Sequence, residues 1–561
     1  MSGSLLGSGF VSVSVSVFVI AMATAITFAI DPLVIPAWAQ EPGPLGPEWT
    51  EPSEPIREDL RILAAQGTVP LRAITGSDLL RSRIAGWWAE RSAGGDAGTG
   101  TGRSAGSGPG GDASASNDTG IANRRVGREL AEEIQGLPGG RISAFPALTP
   151  FIDRPLGTAR LRLRPYAWFE GTWRGGNDAT WGDHPRAGVR GSLHLTPNLS
   201  LNEDMFAGRV KDGQALGDAL VNHTDFLLFV ESIDLTWTRG DHYVRVGRFR
   251  HDWGPGRNGD LLLSGSAPPM DQVHYGLALG PFSFSSSCGP LSRTAEKNVA
   301  LHRLEWSPHP RFVLGLSEGA TFPGSPFDPL YLLGLVPYSV LDRMHAQDVY
   351  ADDDALSVRN NVLAQIDLAA RIRSTLVWAE MLIDDVGTED SRHPSRLGFL
   401  AGAETVFESH GLWSAGAEAA KVYDYVYSVY YEDSDWSHQG EAIGWPLGPD
   451  SESLQAFVSW QPSIEWQVRG EGIVLRHGEG RIGDPWYPPD DPRSSGNDSG
   501  PSSLRGVVER RAGGALSLAY EPSAEIRIAL RASHVAIDNA GNVDGMGADD
   551  DRLELSVRWH R

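Results

Sequence analysis

The chain has 561 residues, with 71 acidic side chains against 48 basic ones and a formal charge of −23. That balance excludes a nucleic-acid binder, which needs a basic footprint, and 18 Trp, 18 Phe and 13 Tyr exclude disorder throughout. One cysteine, Cys288, excludes an intrachain disulfide and any multi-cysteine metal site.

Residues 10–30 are apolar apart from Ser and Thr, and Ala37-x-Ala39 supplies the small residues of a cleavage site. Residues 1–39 therefore read as a signal peptide, the rival being a membrane anchor. A Pro/Glu-rich linker follows over 40–52. Helical spacing then places Ile56, Leu60, Leu63 and Ala64 on one face. Ser77 is a candidate N-cap for a second helix that carries Trp87 and Trp88. A third runs over about 121–135. Residues 92–120 are almost entirely Gly, Ala, Ser, Thr and Asp, which cannot bury a core, so a disordered insert is expected there. Together these segments predict a small periplasmic helical domain over 53–140.

From Arg160 the period changes to two. Alternation in 161–164, 192–195, 454–460, 526–530 and 553–559 means strands with one apolar and one polar face. No long helical pattern separates them, so the sheet is antiparallel. Four strands end on a shared plan: Leu195-Thr-Pro197, Trp306-Ser-Pro308, Trp460-Gln-Pro462 and Tyr520-Glu-Pro522, each read as a tight turn. Other connections are long and polar. Tight turns at one end, long loops at the other and aromatics beside the tight turns predict a mainly β protein. Its core is a large antiparallel transmembrane β-barrel of about 16–18 strands over 160–561. A soluble sandwich or propeller does not explain the two loop classes.

The block from Val244 to Pro269 holds Trp253-Gly-Pro-Gly256 and Leu261-Leu-Leu-Ser264. With 302–318 and Phe327-Asp-Pro-Leu-Tyr331 up to Pro337, it resembles the capsule assembly Wzi family. The resemblance implies an outer-membrane barrel with a periplasmic helical domain. It also implies a role in holding capsular or exopolysaccharide at the cell surface. A pore for sugars or other solutes is the alternative, and a barrel-embedded hydrolase the third reading.

Gly254-Pro255-Gly256 cannot continue a strand, so the chain must leave the wall there. Arg245, Arg248, Arg250, His251, Asp252, Trp253 and Arg257 crowd around it. They read as a lumenal charge cluster that holds an inward-folded loop or meets an anionic sugar, with Glu305, Glu318 and Asp328 as expected acidic partners. Tyr423, Tyr425 and Tyr427 alternate and read as one strand face, either girdle residues or a sugar-stacking surface. Gly315-x-Ser317-x-Gly319 lacks the following helix of a nucleophile elbow. His302 and Glu305 fall on opposite faces of a strand. Acidic runs at 352–354, 432–433 and 549–551 are placed in external loops, where divalent cations are one conceivable partner. No catalytic residue, cofactor or metal is assigned. The expected partners are polysaccharide, outer-membrane lipid and lipopolysaccharide, and the barrel assembly machinery. Nucleic acid is not among them, and a monomer is expected.

Overall fold

A computed structural model describes residues 47–49, 56–76, 81, 122, 125–126, 150–175, 179–209, 219–220, 226–292, 296–341, 344, 360–385, 395–429, 434–484 and 504–561. The expected signal peptide, the expected insert 92–120 and nearly all of the second and third expected helices lie outside the described residues.

A closed antiparallel barrel of 18 strands runs in chain order from Ala159–Arg174 to Ala548–His560. The last strand pairs with the first, Tyr166 opposite His560 and Arg174 opposite Arg552. Closure satisfies every backbone ladder and leaves no sheet edge, the condition for crossing a bilayer with strands. Three short strands, Ile152–Leu156, Thr180–Asp183 and Ala219–Leu220, add to the sheet.

Side chains alternate as the period of two requires. In the strand Lys297–His309, Leu301, Arg303 and Glu305 are buried toward the lumen while Leu304 and Trp306 face out. The strands join through tight turns at one rim, among them 197–198, 240–241, 280–281, 373–374 and 524–525. Arg373 and His410 take positive φ there, as turns this short demand. Only two of the four expected prolines sit in the turn itself. Pro308 and Pro522 lie one step earlier, in bulges between Trp306 and His309 and between Tyr520 and Ser523. A residue without an N–H is tolerated where the ladder is already broken. Aromatic rings pair beside these turns, Trp413 with Trp460 at 5.7 Å and Trp466 with Tyr520 at 4.4 Å. This rim is the periplasmic one by its short turns and aromatic row.

The N-terminal segment enters this rim. The helix Ile56–Gln66 matches the expected apolar face. With the 3₁₀ turn Leu71–Ile74, Ala122 and Val126 it shares one core with Trp253, Leu261–Leu263 and lumen-facing wall residues such as Leu301, Leu363, Trp378 and Leu400. The described part of the linker is tied to the wall as well. Arg162 and Arg164 donate to Glu48 at 3.0 and 3.1 Å, and Trp49 Nε1 donates to Thr236 at 2.9 Å.

A closed barrel resists detergent unfolding. We expect the mature chain to migrate faster on gels unheated than boiled. Identical mobility, with recovery as a soluble species, would contradict this fold.

Candidate functional site

The chain leaves the wall after Phe249 and rejoins it at Met270. Between them it folds inward, and Trp253 N donates to Leu263 O at 2.9 Å to form a small bridge. Trp253, Leu261, Leu262 and Leu263 are fully buried. Gly254 sits at φ 153°, and a Cβ there would lie 2.2 Å from Asp260 Oδ1 and 2.6 Å from Glu380 Oε1. Only glycine lets the backbone pass these two carboxyl groups.

Arg257 is the centre of the arrangement. Its guanidinium donates to Glu404 at 2.7 Å and to both Glu58 oxygens at 2.7 and 2.6 Å, and it lies 3.9 Å over the Phe457 ring. Its backbone N–H and that of Asn258 donate to Glu418, at 2.8 and 3.0 Å. One buried cation thus joins the helix (Glu58) to two wall strands (Glu404 and Glu418). Burial works to raise the Glu58 carboxyl, but Arg257 and Arg469 hold it down at about 2. The same carboxylates push Arg257 above its ordinary value against its burial. Arg61 of the helix reaches Pro255 O at 2.9 Å and stacks over Trp378 at 4.6 Å.

Deeper in the segment, Asp260 and Glu380 hydrogen-bond to each other, so the pair holds a proton. Glu380 also accepts from Gly256 N and Leu261 N, at 3.2 and 2.8 Å. Burial, with Asp252 nearby, pushes Asp260 up to about 7.

The other expected residues divide among separate partners. Arg245 pairs with Asp234 at 2.9 Å, Arg248 with Asp271 at 2.7 Å, Arg250 with Glu231 at 2.5 Å and Asp252 with Arg57 at 2.7 Å. His251 lies beside His274; burial and then Arg245 push it down to about 3, so it is neutral. Glu305 does join the lumenal network, through Arg303, Arg72 and Thr75. Glu318 and Asp328 do not. Strand alternation turns Glu318 to the outer face, where it accepts from Tyr338 N at 2.6 Å and Ser339 N at 3.1 Å. Asp328 caps the short helix Pro329–Leu333. The three segments therefore do not converge inside the barrel: 327–337 packs against its outside.

The tyrosines are not on one strand. The strand ends at Val422, and Tyr425 and Tyr427 take φ of 61° and 72°. Those turns carry the chain inward, so Tyr427 is fully buried, with its hydroxyl donating to Leu261 O at 2.5 Å. Tyr425 accepts from Arg505 at 2.8 Å. A girdle role is excluded for Tyr427. The run 549–551 lies on a strand, with Asp550 bound to Arg552 and Asp551 to His534, and the other two acidic runs lie outside the described residues. Ser317 is mid-strand and accepts from Arg303, so no elbow exists there.

Sequence reading missed Glu58, Glu404 and Glu418. The wall carboxylates did carry a signal: Glu404 and Glu418 lie in Ala/Gly-rich alternating runs on the lumen-facing parity. Ala and Gly there leave room for an inserted loop.

Above Arg257, a cavity of about 350 Å³ extends along the strands that the inward segment leaves uncovered. Its floor is Arg257, Asn258 and Glu418; its walls carry Arg469, Glu471, Arg511, Arg531, Arg552 and Glu554. Ile537 and Asp550, at the ends of strands away from the tight turns, place its upper end at the external rim.

A closed barrel occupied from within by its own N-terminal helix and an inward loop is the class defined here: an outer-membrane β-barrel. The model of the family described as capsule assembly protein Wzi matches residues 234–469, which include all three segments that carry the resemblance. Over those residues the chain is similar to that family, and it resides in the outer membrane. Wzi of Escherichia coli, described as an outer membrane protein involved in group 1 capsule assembly and a carbohydrate-binding β-barrel, superposes with a TM-score of 0.57. Identity is 14%, over 92% of this chain and 99% of that one. The outer membrane protein opdK of Pseudomonas aeruginosa gives a TM-score of 0.41 at 11% identity, over 71% of this chain and 98% of that one. No curated protein sequence matches.

Arg257→Met takes away the cation shared by Glu58 and Glu404, leaving each only a longer contact, to Arg469 and to Arg61, at 3.4 Å. We expect a loss of about 1.5–3 kcal/mol, read as a lower urea midpoint for the folded barrel. Restoring it by Lys would be only partial, because a point charge cannot reach both carboxylates.

The acid pair gives a pH test. Asp260 ionises near 4 when unfolded and near 7 when folded. The folded state holds the extra proton between those values, so stability is lost as pH rises through about 7. Asp260→Asn mimics the protonated acid and removes that loss. Urea midpoints should therefore move in the variant's favour from pH 5 to 8. The opposite contribution of His251 is common to both chains and cancels.

Proposed function

We propose that the protein holds capsular or extracellular polysaccharide at the cell surface without chemical turnover. The external-rim cavity is the contact, and the charge network around Arg257 is the anchor of its floor. The observation that carries this reading is the arrangement itself: a polar cavity that reaches the external rim, floored by the bonded inward segment. Guanidinium and carboxylate groups in alternation along the cavity suit sugar hydroxyls, which both donate and accept. Arg511 and Arg531 have 47% and 41% of their side chains exposed and so are available to a ligand. The family model over 234–469 supports the same reading. The protein would act as a monomer after insertion by the barrel assembly machinery.

The test uses folded protein and polysaccharide purified from the producing strain. Binding is expected, with a several-fold loss in Arg511→Ala/Arg531→Ala at unchanged heat-modifiable mobility. Planar bilayers should show no steady single-channel steps. Steady steps and no binding would favour the solute pore.

A further inference from the structure

The outer wall carries a polar rung that membrane-facing strands should not have. Along paired strands the outward residues Leu277, Phe284, Leu304, Leu316 and Ile366 form one apolar row. The next row toward the external rim reads Tyr275, Ser286, His302, Glu318 and Ala364. His302 Nε2 lies 3.3 Å from Glu318 Oε2. His302 is four residues beyond Trp306, the aromatic paired with Phe282 near the periplasmic rim. At ~3.3 Å per residue and a strand tilt near 40°, that is roughly 10 Å of height inside an apolar band about 25 Å tall. An uncovered carboxylate and imidazole at that depth are costly.

It is covered. Residues 326–341 leave the wall after Phe322 and lie across the outside of these strands. Tyr331 stacks on Phe322 at 3.9 Å, and Tyr338 packs on His302 at 4.4 Å. Glu318 takes the backbone N–H groups of Tyr338 and Ser339, Ser286 Oγ donates to Leu332 O at 3.1 Å, and Tyr275 donates to Leu333 O. The polar rung thus supplies partners for a strap backbone that would otherwise meet hydrocarbon unsatisfied. Gly334, at φ 57°, makes the closest approach; a Cβ there would sit 2.7 Å from Ser286 Oγ.

The strap's other side is apolar and open. Leu335 is 71% exposed, and Phe327, Leu330, Leu333 and Val340 are 43–50% exposed on the same segment. Between Pro323 and Leu341 the only charged residue is Asp328, which is spent on the cap. This surface continues the lipid-facing row of Leu304, Leu316 and Ile366. We propose that residues 326–341 form an external strap immersed in the outer leaflet, its Leu330–Leu335 edge covered by lipid acyl chains. The His302–Glu318 rung is then the polar seat of a membrane-embedded loop.

Spin labels on the full mature chain test this in vesicles of phosphatidylethanolamine and lipopolysaccharide. Cysteines replace Leu335 and, separately, Val340, in a Cys288→Ser background. A native-Cys288 background serves as a second version, since that thiol is fully buried. Leu316→Cys gives the wall reference and Asn542→Cys the rim reference. Both strap labels should be relaxed more by oxygen than by a water-soluble nickel complex, as at Leu316. Nickel-dominated relaxation, as at Asn542, would place the strap in water and overturn the proposal. Low access to both would mean a protein, such as a second copy, covers it, and would overturn it equally.

Discussion

The structure depends on one buried cation. Arg257, on the inward segment, sits where that segment meets the helix and two wall strands, and each of those three elements brings a carboxylate. Glu404 and Glu418 are buried and Glu58 is partly so, and an unpaired charge in a dry site costs several kcal/mol. The guanidinium and the carboxylates therefore stabilise one another. The Trp253–Leu263 segment and the helix become part of the barrel because their charges have no other place to go.

From this follows the division of the lumen. Strands between Lys297–His309 and Leu412–Val422 turn apolar side chains inward, onto Trp253, Leu261 and the helix, and bury them. Strands from Trp466–His477 to Ala548–His560 meet the described inserted elements mainly through Arg469, which reaches Glu58, and their inward side chains are arginines and acids in partial contact with water. One side of the lumen is a packed protein core. The other is a wet cavity with an ion-pair ladder, in which Arg531 meets both Glu471 and Glu554. That asymmetry is what lets a barrel this wide be closed and yet present a cavity to the outside.

The same economy of charges holds outside. A polar row on a membrane-facing wall and an apolar loop with few charges are each anomalous alone. Laid against each other they are complementary: the row satisfies the loop's backbone, and the loop shields the row from hydrocarbon.

Period-two alternation, the unequal connections and the aromatic–Pro turns determined the barrel and its orientation from sequence alone. These are local properties, fixed by the pleat and by the solvent on either side of it. The departure of the chain at Gly254-Pro255-Gly256 was equally legible, since neither residue type sustains a ladder there. What sequence could not supply was which carboxylates meet which arginines. Arg257 and Glu418 are 161 residues apart, and Arg257 and Glu58 are 199 apart. Their meeting depends on the closure of the whole ring. The assignment of Glu318 and Asp328 to the lumen failed for the same reason. Parity tells which residues share a face, but only the closed barrel decides which face is inside and what lies against the other.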